Sequence, residues 1–248
     1  MNRNSTEALY QAQEQFMLDL DSSKLPGNHI ILCGGTALAR VYLHHRVSYD
    51  LDFFVDGQFD PERLSVQLGK LGINLEDVQI ENGGKFVHQL LGYVSIGDTR
   101  LKVSFIEDGY AGMFPHSQMQ IDNVKFAVES VEGLYHRKLR TVSGSGNSDF
   151  PTDGRQAARD LFDLFMLDQM IEPIPTFVKT INQHGANFPV KAFLAGLASM
   201  PWIAMMDEFE QIDFDMSNQY LTDIKPADMM ATVRYRMQAV FEEMVNDG

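Results

Sequence analysis

The chain has 248 residues, 34 acidic against 20 basic side chains, a formal net charge of -14, one cysteine and 44% hydrophobic residues. That composition excludes a wholly disordered chain and an internal disulfide, and the single cysteine points to a reducing, cytoplasmic setting. No apolar run approaches the roughly 20 residues that span a bilayer, and residues 1–7 carry no signal-peptide pattern, so no membrane association is expected. The acidic balance opposes indiscriminate nucleic-acid binding but leaves room for a small basic site.

In chain order, apolar residues at helical spacing predict a helix over Thr6–Leu20, broken by Pro26-Gly27-Asn28. His29–Cys33 reads as a buried strand, ended by Gly34-Gly35, after which Thr36 should cap a helix from Ala37 to about His44. A second strand is expected over Ser48–Val55, and Asp60-Pro61-Glu62 opens a helix to about Leu71 with proline in its first turn. Strands follow at Leu75–Ile80, Phe86–Ile96 and Thr99–Ile106, the last two joined by the hairpin signal Gly97-Asp98, and a weaker one at Asn123–Val128. Helices are then predicted over Val131–Val142, Gly154–Met170, Thr176–Gln183, Val190–Met200 and Pro226–Val245, with a flexible loop at Ser143–Ser148. In the Gly154–Met170 helix, Ala158, Leu161, Phe162, Phe165 and Met166 share one face. The order gives an α+β chain: a mixed-sheet core over residues 1–128 and a helical region over 129–248.

The chemistry concentrates between Gly34 and Asp52. Alternation in a strand places Ser48, Asp50 and Asp52 on one face and Tyr49, Leu51, Phe53 and Val55 on the other, toward a core. Two carboxylates so close repel unless a cation lies between them, and Mg²⁺, a hard ion that takes oxygen ligands and substrate phosphates, suits the pair. Asp-x-Asp recurs at Asp19/Asp21 and Asp213/Asp215, but only the Asp50/Asp52 copy follows a strand, a Gly-Gly turn and a helix start. Gly34 and Gly35 allow backbone amides to approach an anion, and Thr36 opens a helix whose N-terminus favours phosphate. On spacing alone, a tight turn followed by two surface aspartates explains the same residues equally well.

The stretch Gly34-Gly35-Thr36-Ala37-Leu38-Ala39, followed by His45-Arg46-x-Ser48-x-Asp50-Leu51-Asp52-Phe53-Phe54, resembles the signature of nucleotidyltransferase-fold abortive-infection toxins of the AbiEii/AbiGii type. A second similarity runs from Leu134-Tyr135-His136-Arg137-Lys138-Leu139 to Arg159-Asp160-Leu161-Phe162-Asp163-Leu164. The resemblance implies a nucleotidyltransferase-like mixed sheet followed by helices, and metal-dependent transfer of a nucleotide from an NTP to a hydroxyl, with transfer RNA ends among the family's acceptors. It implies that Gly34, Gly35 and Thr36 hold phosphate oxygens and that Ser48 bonds the triphosphate. Asp50 and Asp52 would bind Mg²⁺, Lys138 would neutralise phosphate, and Asp160 would act in the nucleotide pocket. An antitoxin protein is the implied partner.

One residue departs from the pattern. Polymerase-like nucleotidyltransferases place a third carboxylate on a neighbouring strand, and in Arg100–Asp108 the polar face offers Arg100, Lys102 and Ser104, a serine where an acid is expected. Glu107 has the opposite parity and needs a bulge to reach the site. Either Asp160 takes the role, or the chain is a degenerate member that binds NTP or a protein partner without efficient transfer. Of the remaining features, His44-His45 lacks the further ligands of a zinc site, Cys33 reads as a buried small hydrophobe, and Asp163 as the structural partner of a nearby base.

Overall fold

A computed structural model describes residues 3–20, 25, 29–55, 59–83, 88–143 and 157–246. The chain divides into two compact units, one formed by residues 1–42 and 47–133 and the other by residues 43–46 and 134–248. Residues 43–46 thus belong to the second unit although both of their neighbours in sequence belong to the first.

The first unit is built on a sheet of seven strands: β1 (Ile30–Cys33), β2 (Leu51–Val55), β3 (Glu76–Glu81), β4 (Gln89–Ile96), β5 (Thr99–Glu107), β6 (His116–Ile121) and β7 (Val124–Glu129). Their order across the sheet is β3-β4-β5-β2-β1-β7-β6. β2 pairs parallel with β5 and β1 parallel with β7, while the other neighbours run antiparallel, so the sheet is mixed as expected. The alternation in β2 holds: Leu51, Phe53 and Val55 are fully buried. Phe53 anchors the core, with ring centroids 6.0 Å from Phe16, 5.3 Å from Phe105 and 5.7 Å from Phe126. Phe16 comes from helix α1 (Arg3–Asp19), whose apolar stripe covers this face. Helix α3 (Pro61–Lys70) begins as the sequence indicates, with Pro61 in its first turn and the Asp60 carboxylate accepting from the Arg63 amide at 3.0 Å.

Four departures from the sequence reading have identifiable physical causes. The ladder of β2 starts at Leu51, so Ser48 and Asp50 precede the strand and Tyr49 is exposed rather than in the core. The carbonyl of Ser48 is taken by the Gln13 side chain at 2.8 Å and that of Asp50 by the Thr36 hydroxyl, so neither enters a ladder. Thr36 does not cap: helix α2 (Gly34–Ala37) starts directly after Cys33 and continues as a π-turn over Leu38–Leu43, stopped by His44 at φ 46°. Strand β6 was not anticipated, because its residues His116, Ser117, Gln118 and Gln120 are exposed on an edge and carry no apolar alternation.

The second unit is helical: α4 (Val131–Ser143, entering it at Leu134), α5 (Ala158–Met170), α6 (Ile174–Gln183), α7 (Val190–Ala198), the short α8 (Met206–Glu210) and α9 (Met229–Asn246). The fourth departure is α5, which is not one-faced: Asp160 through Asp168 are all buried. Its acidic positions are taken up in ion pairs. Asp168, for example, accepts from Arg236 of α9 at 2.7 and 2.9 Å and caps α6 through the Ile174 amide at 2.9 Å. The predicted loop at 144–148 and the first residues of the predicted 154–170 helix lie outside the described residues. No helix among the described residues is long and apolar enough to cross a membrane.

Candidate active site

In the first unit, β1 ends where the site begins. Cys33 pairs with Asp52 across the β1–β2 ladder, and the Cys33 thiol donates to the Asp52 carbonyl at 3.3 Å. Gly34 then turns the chain away at φ +67°, a left-handed conformation that glycine adopts without steric cost. It is also pressed against the aspartate: a Cβ on Gly34 would stand 2.7 Å from Asp52 Oδ2. Two residues on, the buried Thr36 hydroxyl lies 2.9 Å from that of Ser48 and donates to the Asp50 carbonyl. The Gly34–Thr36 turn and the Ser48–Asp52 segment are therefore closed on each other by a glycine contact and a hydroxyl bridge. Gly35 is partly exposed beside them.

The neighbouring strand supplies two more groups. Parallel pairing of β2 with β5 sets Asp52 opposite Ser104, which is buried. Two residues earlier on the same face, the Lys102 ammonium is 3.8 Å from Asp50 Oδ2, with side chains 34% and 23% exposed, respectively. Serine thus occupies the sheet position beside Asp52 where the third acid was sought. Glu107 stays at the far end of the strand, beside Val55, and accepts from the His88 amide at 3.2 Å. No group of three or more acidic, histidine or cysteine side chains disposed to hold a metal occurs among the described residues. Lys102 was noted in the sequence only as part of a polar face; the β2–β5 register is what makes it a site residue.

In the second unit, Lys138 of α4 and Asp160 of α5 come together as the motif requires, yet not as an open site. The Lys138 ammonium is 2.5 Å from Asp160 Oδ1 and 2.7 Å from Asp163 Oδ2; both aspartates are buried and the Lys138 side chain is only slightly exposed. Asp163 also accepts from His45 Nε2 and Arg46 Nε, each at 2.7 Å, and from the second arm of the Arg46 guanidinium at 2.9 Å. Each of its oxygens accepts from two donors. Burial would raise the Asp163 pKa, but Arg46 and Lys138 outweigh it and hold the carboxyl well below the ordinary range. Burial would lower the Lys138 ammonium, and Asp160 and Asp163 reverse that and raise it. His45, stacked 5.3 Å from Phe162, is driven down by burial against the pull of Asp163, so it is neutral and donates through Nε2. Two carboxylates thus face two cations, Lys138 and Arg46.

A family model for the nucleotidyl transferase AbiEii toxin of type IV toxin–antitoxin systems matches residues 15–238. Among solved structures, a provisionally assigned nucleotidyltransferase from H. pylori is similar at 17% identity and a TM-score of 0.49, over 100% of this chain and 99% of that one. JHP933 from Helicobacter pylori is similar at 17% identity and a TM-score of 0.48, over 96% and 94% of the two chains. An antigenic nucleotidyltransferase-like protein from Paracoccidioides brasiliensis is similar at 12% identity and a TM-score of 0.42, over 74% and 91%. Among curated proteins no relative matches the chain.

Proposed function

The chain belongs to the nucleotidyl transferase AbiEii toxin family, and from that premise we propose that the first unit carries an Mg²⁺- and NTP-dependent transfer centre built on Asp50 and Asp52. The closure of Gly34–Thr36 onto Ser48–Asp52 supports this reading above all else. It sets two partly accessible carboxylates beside a glycine turn and a hydroxyl pair, the groups that a cation and a polyphosphate require. In this reading Asp50 and Asp52 hold Mg²⁺, while Gly34, Gly35, Thr36 and Ser48 receive phosphate oxygens. Bound there, the ion would neutralise triphosphate charge and polarise the reacting phosphate. The acceptor hydroxyl, on an RNA end such as that of transfer RNA or on a protein, bonds to the α-phosphorus. The bond from that phosphorus to the oxygen bridging to the β-phosphorus breaks, pyrophosphate leaves, and the hydroxyl proton passes to solvent. The chain's own contribution is positioning and charge, which dominate phosphoryl chemistry. Membership of a toxin–antitoxin family supplies an antitoxin as the counterpart, and a cytoplasmic site of action fits the NTP supply.

Lys138 and Asp160 enter this reading through their motif. With Lys138 committed to Asp160 and Asp163, a phosphate would have to displace a carboxylate to reach its ammonium. The test is calorimetric titration of each NTP with and without Mg²⁺, followed by incubation of labelled NTP with total RNA. Asp50→Asn should abolish the Mg²⁺-dependent part of NTP binding while the protein stays folded; equal Mg²⁺-dependent affinity in wild type and variant rejects the assignment. Asp213→Asn, in the unrelated Asp-x-Asp, should change nothing.

A further inference from the structure

Charge counting around the two aspartates leads to a residue that no motif assigns. Asp50 and Asp52 bring two negative charges, and the Lys102 ammonium, 3.8 Å from Asp50 Oδ2, brings one positive charge on the same face. Ser104, opposite Asp52 in the β2–β5 ladder, brings none. Two-metal phosphoryl-transfer sites hold their ions about 3.5–4 Å apart on carboxylates that bridge or flank both. Here the described residues offer no third carboxylate to the pair, and a fixed cation already stands within reach of one of the two. A second divalent ion would meet Lys102 at close range with one ligand too few. The Lys102 side chain is one-third exposed, so its ammonium can exchange Asp50 for a phosphate oxygen when one arrives.

Resting on the reading of Asp50 and Asp52 as the metal-binding pair, we propose that the centre takes one divalent ion and that Lys102 binds the triphosphate in the place of the second. Lys102 then acts in opposite directions on two measurable quantities. Without phosphate it competes with the ion for Asp50; with phosphate it adds a charge-assisted hydrogen bond. A lysine that only buttresses the strand would not separate the two.

The probes are Mn²⁺, which is visible by electron paramagnetic resonance, and inorganic tripolyphosphate, which carries the phosphates of any NTP without its base. Wild-type protein saturated with both should hold one Mn²⁺ per chain with no spin-coupled broadening. Lys102→Met should bind Mn²⁺ alone roughly fivefold more tightly and tripolyphosphate at saturating Mn²⁺ roughly fivefold more weakly, as expected for a partly exposed charge. Lys102→Arg should restore the tripolyphosphate affinity. Ser104→Asp should admit a second ion and a broadened spectrum. Two coupled ions in the wild type, or Lys102→Met shifting both affinities the same way or neither, overturns the inference and leaves the metal-binding pair standing. Failure of the wild type to bind Mn²⁺ at all overturns the inference together with the reading it rests on.

Discussion

Two pairs of aspartates, Asp50/Asp52 and Asp160/Asp163, look alike in sequence, each inside a motif, and each has a lysine brought to it by the fold, yet the two are treated in opposite ways. The first pair sits in the sheet unit with partly accessible carboxylates and one partly exposed cation nearby. The second pair sits on α5 in the helical unit, buried, with Lys138 and Arg46 supplying two fixed cations and His45 a further donor. The first presents partly accessible carboxylates; in the second, both carboxylates are buried and share Lys138, and Asp163 holds Arg46 as well. Spacing finds carboxylates, but the charge of their neighbours decides whether they bind a ligand or hold the chain together. Removing one member of each pair should therefore have different consequences.

The largest expected effect is Asp163→Ala. It strips the acceptor from His45, Arg46 and Lys138 at once and leaves the buried Arg46 without the carboxylate it is paired to, a loss of about 3–5 kcal/mol for a broken buried pair. Asp50→Ala, at a partly exposed position, should change stability by no more than about 0.5 kcal/mol. Urea unfolding at pH 7 compares them, and equal losses would erase the distinction between the two pairs. The Asp163 carboxyl is held below its unfolded value, so the unfolded chain binds more protons in the window between the two. Its contribution is present above the ordinary aspartate range and is lost as pH falls through the lowered folded value. The stability of Asp163→Ala should accordingly fall less steeply with acid than that of wild type.

The same contrast explains how far the sequence could be read. The six strands anticipated all exist, and the strongest signals among them, the run Ile30–Cys33 and the alternation Leu51, Phe53, Val55, are buried. Edge strand β6 lacks both signals, and only its pairing with β7 reveals it. On α5, Leu161, Phe162, Phe165 and Met166 were correctly taken as core, but the burial of the acids between them was not anticipated, because their partners Arg46, Lys138 and Arg236 lie far along the chain. Asp163 was read as a structural partner of a base, though which bases it holds was beyond any spacing rule. In the candidate site, the turn-then-aspartates pattern was legible, while the Gly34–Asp52 contact and the Lys102–Asp50 approach depend on strand register. That the unit boundary detours to include residues 43–46 could not be read at all: His45 and Arg46 carry no local sign of their attachment to Asp163.

A smaller and more local effect is expected at Gly34. Alanine there must adopt a left-handed conformation, at about 1–2 kcal/mol, and its Cβ would meet Asp52 Oδ2 at 2.7 Å. The aspartate must swing away. Gly34→Ala should lose Mn²⁺ affinity out of proportion to its stability loss, whereas Asp163→Ala should lose stability out of proportion to Mn²⁺ affinity at a temperature where it remains folded. If Gly34→Ala binds Mn²⁺ like wild type, the glycine serves the turn alone and not the carboxylate.

The smallest effect separates the hydroxyl bridge from the packing around it. Thr36 is buried, its hydroxyl 2.9 Å from that of Ser48 and bonded to the Asp50 carbonyl. Valine matches its shape and removes the oxygen; serine keeps the oxygen and removes a methyl. Losing a buried hydrogen bond costs about 1 kcal/mol, and losing one buried methyl is of similar size, so unfolding alone does not distinguish the variants. Ligand binding does. Thr36→Val frees the Asp50 backbone from the turn and should weaken Mg²⁺-dependent NTP binding severalfold, while Thr36→Ser should bind as wild type does. Equal affinities in the two variants would mean that Asp50 is positioned by its chain neighbour Leu51, where β2 begins, and by the Lys102 contact without the bridge, narrowing the role of the turn to Gly34 and its approach to Asp52.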